Sequence, residues 1–309
     1  MNIIPCLNLC DILGRKEKQK SAKDEIEKSE ETMGSKKEQY ERIYIGSYFC
    51  GKYFLHLDSA QIDRRVEEVM GWGKHKPKIT LVIPMFGEHD LDEGKRKIEE
   101  LLKNHRDCID EVTVNDYGML GYMAEKYEYP LNMGRLFMKD YRDKRYEDYY
   151  QMTISPKIFT PYFEETRKKY GVKGVEFDPT HRGIDLSKAP ADLTLAIHAP
   201  YCYMTTGQIC ELASIHKTMD KKYRPNCDCA SECEQFHVIY SPNDSEKWIR
   251  LGRTIYFRND DVQISGTDEI RQIWYPLTEL DLIQHEVHMQ PGTSQRTMQE
   301  DMDCERRCQ

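Results

Sequence analysis

Apolar runs and amphipathic stretches alternate through the middle of the chain. KITLVIPMFGEHD opens with a continuous apolar run, which is typical of a strand buried on both faces. LDEGKRKIEELLKNH then spaces Ile98, Leu101 and Leu102 along one side of a helix. The alternation repeats, and it predicts strands over ERIYIGSYF, KYFLHLD, DEVTVNDYG, YPLNMGR, VKGVEFD and DLTLAIHAPY, and helices over 119–126 and FTPYFEETRKKYG, the last ended by Gly171. This order predicts a parallel β/α architecture.

Three more strands are predicted near the C-terminal end, in FHVIYS, RTIYFRN and QHEVHM. Roughly eight to ten strands in about 250 residues suit an α/β fold of the (β/α)8 barrel type, or a close variant, better than an open six-stranded sheet. An open doubly wound sheet is the alternative.

The two ends of the chain are polar. Residues 15–42 carry mixed charge and lack the apolar stripe that a core-facing helix needs. We therefore expect a charged, polar N-terminal extension over 1–40, a barrel over 41–292 with a cysteine-rich region at 198–235, and a polar C-terminal tail over 293–309.

Charge and hydropathy narrow the classes of partner. The net charge is −8, the pI is about 5.8 and the mean hydropathy is −0.76. The negative net charge argues against a broad basic surface that would bind the phosphates of a nucleic acid. No apolar run approaches the roughly 20 residues of a spanning helix, and the N-terminus lacks a signal-peptide pattern. These features predict a cytoplasmic protein that does not bind membranes.

Five of the eleven cysteines fall within 198–235, at positions 202, 210, 227, 229 and 233. In a reducing compartment such a cluster indicates metal binding more than disulfides. Four thiolates complete either an iron–sulfur cluster or a zinc site, and the loose spacing of Cys202 and Cys210 favours the cluster, with zinc as the alternative cofactor. Cys50 and Cys108 are expected to be packing residues, and Cys6, Cys10, Cys304 and Cys308 to be solvated thiols.

The motifs HAPYCYMTTGQIC and NCDCASECEQ resemble the signature of the peptidase U32 family. EVTVNDYGML, ERIYIGSY and IYSPNDSEKWIRLGRTIYFRNDD are similar to further strands of that family. The resemblance implies a barrel with a 4Fe-4S cluster held by Cys202, Cys210, Cys229 and Cys233. The first gap is one residue longer than is usual in the family, and Cys227 is an alternative third ligand. One subfamily takes a ligand from an earlier strand end, but YFLHLDSAQIDRR has no cysteine, which favours Cys202.

Reactive groups of a β/α barrel stand at the carboxyl ends of its strands. The predicted strands place His198 and Asp116 there as candidate catalytic proton carriers, and Arg135 as a candidate anion-binding residue. Each has a structural alternative: Asp116 caps the following helix, Arg135 forms an ion pair, and His198 only hydrogen bonds. The other candidates are Glu88, His89, Asp178, His181 and Arg182.

The resemblance implies an iron–sulfur enzyme that performs oxygen-independent hydroxylation, or a related redox modification, on an RNA base or a small aromatic substrate. One alternative is a peptidase or collagenase-type hydrolase, although the sequence has no serine nucleophile motif. The other is a non-catalytic subunit that carries the cluster for a protein partner.

Overall fold

The computed structural model describes residues 1–10, 40–71, 76–138, 155–234, 236–243 and 246–275. Eight parallel strands close into a barrel, with neighbours in the order β1-β2-β3-β4-β5-β6-β8-β14 and β14 next to β1. The strands are β1 (Asn2–Asn8), β2 (Arg42–Gly46), β3 (Lys78–Ile83), β4 (Ile109–Val114), β5 (Leu131–Met133), β6 (Val172–Phe177), β8 (Thr194–His198) and β14 (Glu269–Trp274). The predicted (β/α)8-type barrel is confirmed.

The first strand of the barrel lies in the segment that the sequence placed in a polar extension. β1 pairs with β14 on one side and with β2 on the other, so it closes the sheet. Its second half is apolar, with Cys6 and Leu7 fully buried. The polar composition of the following residues obscured this short run. Residues 11–39, the predicted strand QHEVHM and the tail 293–309 lie outside the described residues.

Five helices accompany the strands within the described ranges: α1 (Gly51–His56), α2 (Ser59–Met70), α3 (Leu91–Asn104), α4 (Tyr117–Lys126) and α5 (Pro161–Tyr170). The helices predicted at α3, α4 and α5 are confirmed, and Gly171 ends α5 in the left-handed region at φ 67°. None of the helices in these ranges is long and apolar enough to cross a membrane.

The strand predicted over KYFLHLD is wrong, because these residues belong to α1 and the turn after it. The Cys50 side chain accepts a hydrogen bond from the Tyr53 N–H and so caps the helix, and Tyr53 and Phe54 turn toward the core. A segment of seven residues is too short for the spacing of its apolar positions to distinguish a strand from a helix.

A second sheet is inserted between β8 and β14. It is antiparallel, in the order β10-β11-β12-β9, and consists of β9 (Tyr201–Thr206), β10 (Val238–Asn243), β11 (Glu246–Leu251) and β12 (Thr254–Arg258). The predicted strands in FHVIYS and RTIYFRN lie in this sheet and not in the barrel. A short parallel pair, β7 (Ile184–Asp185) and β13 (Ile264–Ser265), completes the sheets.

Charged side chains fill part of the barrel interior, each beside an opposite charge or a donor. Near the amino ends of the strands, Glu111 accepts from Thr80 over 2.8 Å and pairs with Arg271 at 2.8 Å and Arg42 at 3.3 Å. Buried charges are tolerated only when they are paired in this way. These charges are therefore engaged with one another within an otherwise mostly apolar core.

Candidate functional site

Five cysteines line one pocket at the carboxyl end of the barrel, here called the thiol pocket. They come from two places: Cys50 follows β2, and the others lie in the connector, residues 207–234, between β9 and β10. The five are Cys50, Cys210, Cys227, Cys229 and Cys233. The barrel and its insertion together therefore bring thiols that are 183 positions apart in sequence to one site.

Backbone N–H groups donate to three of these sulfur atoms. The donors are the N–H groups of Tyr53 for Cys50, of Leu212 and Ala213 for Cys210, and of Ser231 for Cys229. Burial raises the pKa of the Cys210 thiol and raises that of Cys229 to about 11, and these N–H groups partly offset the effect. Hydrogen bonds to sulfur favour thiolates and are one of the ways in which proteins tune iron–sulfur clusters.

Cys202, predicted as the first cluster ligand, does not line the thiol pocket. It lies on β9, is fully buried, and its Sγ donates to the His198 carbonyl oxygen over 3.1 Å. Cys50, expected to be a packing residue, is half-buried and faces the pocket instead. The rule that reactive groups follow barrel strands would have identified Cys50, because it comes four residues after β2.

The thiol pocket does not contain a preformed site for a single ion. Within the described ranges, no three or more His, Cys, Asp or Glu side chains lie close enough together to hold a metal ion. A zinc ion needs its sulfur ligands about 2.3 Å away, so these thiols would have to move inward to bind zinc. None of the nine described cysteines is in a disulfide bond with another described cysteine. The thiols of the pocket are soft donors, a ligand type that suits zinc and iron–sulfur clusters alike.

A second cavity, here called the mouth cavity, has a volume of about 660 Å³ and lies beside the thiol pocket. Residues after β4 and β5 form one side, and the turn before α5 forms another. Its lining includes Asn115, Asp116, Tyr117, Phe137, Lys157 and Tyr162. The cavity is large enough for a small molecule or one flipped base.

Phe49, Gln208 and Arg253 line both the thiol pocket and the mouth cavity. Arg253 is 8% exposed, and its hydrogen bonds hold the other two residues of this shared wall in place. Its Nε donates to the Phe49 carbonyl oxygen over 2.8 Å, its Nη2 donates to the same oxygen, and its Nη1 donates to Gln208 Oε1 over 2.9 Å. A group bound in the thiol pocket would thus be separated from a ligand in the mouth cavity by one layer of side chains.

Asp116 caps α4, which was the structural alternative to a catalytic role. Its Oδ1 accepts the Met119 N–H over 2.8 Å. Asp116 also lines the mouth cavity. Burial raises the pKa of its carboxyl, and the N–H groups of Met119 and Gly118 partly offset this rise. The residue therefore holds the helix and presents a carboxyl group to the cavity.

His198 lies inside the barrel and lines neither the thiol pocket nor the mouth cavity. It is 1% exposed, and its Nε2 lies 2.9 Å from Oε2 of Glu176, whose Oε1 accepts from Thr113 over 2.6 Å. The Tyr48 ring meets the imidazole edge-on at 4.9 Å. Burial raises the pKa of Glu176 to about 7. The sequence prediction missed Glu176, since its position within a strand is no signal of chemistry.

Arg135, the predicted anion-binding residue, is fully buried in an ion pair with Asp178. Its Nε donates to Asp178 Oδ2 over 2.8 Å, and the Asp178 Oδ1 accepts the Tyr203 N–H over 2.8 Å. Four rings surround the guanidinium at 5.1 to 5.7 Å, those of Tyr48, Phe49, Tyr203 and Tyr256. The pair joins the inserted sheet to the barrel, so the structural alternative describes Arg135 better than a substrate contact.

The other predicted mouth residues line neither cavity. Glu88 and His89 are exposed in a turn before α3, and the His181 ring packs 4.7 Å from Phe257. Arg182 follows the turn at Thr180, whose hydroxyl accepts its N–H. Of the predicted catalytic and anion-binding residues, all of which are described, Asp116 is thus the one that lines either cavity.

We compared the chain with models of protein families, with curated proteins and with solved structures. No family model, no curated protein and no solved structure matches it. The resemblance to the peptidase U32 family therefore stays a prediction from the motifs.

Proposed function

We propose that the thiol pocket holds a 4Fe-4S cluster through Cys50, Cys210, Cys229 and Cys233, and that the protein carries out a redox modification, such as oxygen-independent hydroxylation, of a small substrate in the mouth cavity. The observation that supports this proposal is the convergence of five cysteines on one pocket that shares a wall with the larger cavity.

The choice between Cys227 and Cys229 rests on their surroundings. Cys229 receives the Ser231 N–H, and both Cys50 and Cys210 lie close enough to act on it electrostatically. Cys227 is the alternative third ligand, because it also lines the pocket and acts on Cys210. Three residues separate Cys229 from Cys233, a spacing that a short turn can present to one cluster.

Cys50 replaces Cys202 in the ligand set that the resemblance implied. In one U32 subfamily a ligand from an earlier strand end takes the place of the first motif cysteine. Cys50 lies at such an end, three residues before the segment YFLHLDSAQIDRR. Its capping contact with α1 also places its sulfur at a helix N-terminus, where partial positive charge favours a thiolate.

A bound cluster would supply one-electron chemistry at the wall of the mouth cavity. The protein's own residues would bind and enclose the substrate. Phe49 and Phe137 exclude water from one side, and Lys157 presents a cation. The Asp116 carboxyl, whose pKa is raised by burial, can hold a proton at Oδ2, since Oδ1 is engaged by Met119. The cavity volume and the charge of −8 favour a small molecule over a long RNA.

Anaerobic purification followed by iron and sulfide analysis tests the ligand set. We expect a brown protein with about four iron atoms per chain. Serine substitution of Cys50, Cys210, Cys229 or Cys233 should remove most of the iron. Cys202→Ser and Cys108→Ser are the matched controls, and both should keep it. Iron that persists in Cys50→Ser but is lost in Cys202→Ser would contradict the structural ligand set, and zinc in place of iron would contradict the cluster.

A cysteine-dependent hydrolase is a second candidate, favoured by one contact. Cys229 Sγ lies 3.8 Å from His56 Nδ1, which is also 3.1 Å from the Ser231 hydroxyl. A cysteine beside an imidazole is an arrangement that can generate a nucleophile. This candidate predicts that iron-free protein cleaves peptides, that His56→Asn and Cys229→Ser abolish cleavage, and that Cys210→Ser and the exposed-site control His89→Asn do not.

A further inference from the structure

Arg253 is a buried cation without an anionic partner. Its three hydrogen bonds go to a backbone carbonyl and to an amide oxygen, both neutral. Among the described residues, no carboxylate lies within ion-pair distance of its guanidinium. The other deeply buried arginines differ, because Arg135 pairs with Asp178 and Arg42 pairs with Glu111. An isolated buried charge is costly, and an arriving anion would relieve that cost.

The guanidinium of Arg253 also has unused hydrogen-bonding capacity. Arginine carries five N–H donors in a planar fork, and here three are engaged. Two donors therefore remain on a side chain that lines the mouth cavity. Carboxylate and phosphate groups match this planar geometry.

The rest of the mouth cavity suits the apolar body of such a ligand. Phe137, Phe163 and Tyr162 supply rings, and Lys157 adds a second cation at the rim. Asn115 is 3% exposed, and its Nδ2 donates to the Ile83 carbonyl oxygen over 3.0 Å, so its side chain is held in place below the cavity.

We propose that the mouth cavity binds a small aromatic or cyclic molecule that carries one carboxylate or phosphate group, with Arg253 as the residue that anchors the anion. This inference names the substrate class of the proposed function and rests on the mouth cavity being its substrate site. Asp116 is the one carboxyl group that lines the cavity, and its burial favours the neutral form that an anionic ligand requires.

Calorimetric titration of the full, anaerobically purified chain tests the proposal with three probes: benzoate, phenyl phosphate and the neutral benzyl alcohol. We expect one of the anion classes to bind at least about 10-fold more tightly than benzyl alcohol, because charge-assisted hydrogen bonds contribute that much. The better of benzoate and phenyl phosphate identifies the anion.

Substitutions then locate the anchor. Arg253→Gln should weaken binding of the anion at least about 10-fold, and Lys157→Gln, at an exposed site, should weaken it a few-fold. The matched controls Arg258→Gln and Lys173→Gln lie outside the mouth cavity and should leave the affinity unchanged. If Arg253→Gln fails to fold, the comparison of charged and neutral probes on the unmodified protein still shows whether the mouth cavity prefers an anion.

Two results would overturn the inference: benzyl alcohol binding as tightly as the anions, or Arg253→Gln protein binding them as tightly as the unmodified protein. The same titration on Cys229→Ser protein separates this inference from the proposed function. If the unmodified protein binds the anion but contains no iron, the anion site is supported and the cluster is contradicted. If it contains iron but does not bind the anion, the cluster is supported and the anion site is contradicted.

Discussion

The interior of the barrel and the connector 207–234 hold reactive side chains in opposite ways. Inside the barrel, Glu111 has arginine partners and Glu176 has His198 and a threonine hydroxyl. In the connector, the thiols are half-buried and three short 3₁₀ turns replace longer helices. Large apolar side chains that elsewhere would be buried are exposed there, namely Ile209, Ile215, Met219 and Tyr223.

The backbone shows the same contrast. The three non-glycine residues with positive φ in the described ranges all lie in the connector: Tyr223 at 53°, Asn226 at 53° and Ser231 at 59°. Strained backbone persists where the surroundings over-determine it, and such positions gather at functional sites. The charged side chains named inside the barrel are therefore paired within it, whereas the connector carries exposed apolar side chains and strained backbone. Metal binding commonly couples to local folding.

The largest expected effect comes from breaking the buried pair of Arg135 and Asp178. Arg135→Met leaves a buried carboxylate unpaired, so we expect the free energy of unfolding in urea to fall by about 3–5 kcal/mol. Arg258→Gln, which breaks an exposed pair with Asp260, is the matched control and should cost at most about 1 kcal/mol. The double substitution Arg135→Met with Asp178→Leu should recover part of the loss. Equal losses from Arg135→Met and Arg258→Gln would show that the pair does not hold the barrel mouth.

A pH titration of stability examines Glu176. Burial raises the pKa of this carboxyl from 4.5 to about 7, so between those values the folded state keeps a proton that the unfolded state releases. The corresponding stability is fully present below pH 4.5 and is lost as the pH rises through about 7, a change of roughly 3 kcal/mol. Glu176→Gln removes this part of the pH dependence.

The measurement is urea unfolding at pH 5, 6, 7 and 8. Glu128→Gln, at an exposed site, is the control and should show the same pH dependence as the unmodified protein. If the free energy of unfolding of Glu176→Gln and of the unmodified protein changes with pH in the same way, Glu176 does not titrate in this range.

The smallest effect on global stability should follow removal of the proposed cluster by chelation. Chelation should leave the free energy of barrel unfolding within about 0.5 kcal/mol, because the barrel core does not use the thiols. It should, however, speed trypsin cleavage in the connector at exposed Lys221. Cleavage at Lys168 in α5 serves as the internal control and should not change. Equal protection of the connector before and after chelation would show that its fold is independent of metal.

Much of the barrel could be predicted from local pattern, and the failures have physical causes. The continuous apolar run of β3 and the amphipathic α3 are unambiguous, because both are long enough for their period to show. The segment of α1 is too short for that test, and its capping cysteine is not among the usual N-cap residues. β1 was missed because only about half of its residues are buried.

For the candidate site, the sequence predicted a cluster of thiols and three of the four proposed ligands. It took Cys202 as the fourth ligand and expected Cys50 to be a packing residue. Cys202 lies in the motif but on a strand of the inserted sheet, where its side chain faces inward, while Cys50 lies far away in sequence and faces the pocket. Arg135 likewise follows a predicted strand, but only the fold shows that its guanidinium forms an ion pair with Asp178.

The amino-acid sequence by itself determined the alternation of strands and helices, the cysteine-rich region and the acidic surface, because these depend on the order of neighbouring residues. The tertiary structure alone decided which thiols share a pocket, which arginine is paired and which is left with free donors. Those outcomes depend on the closure of the barrel and on the register of the inserted sheet, which bring together side chains too distant along the chain for any local pattern to relate.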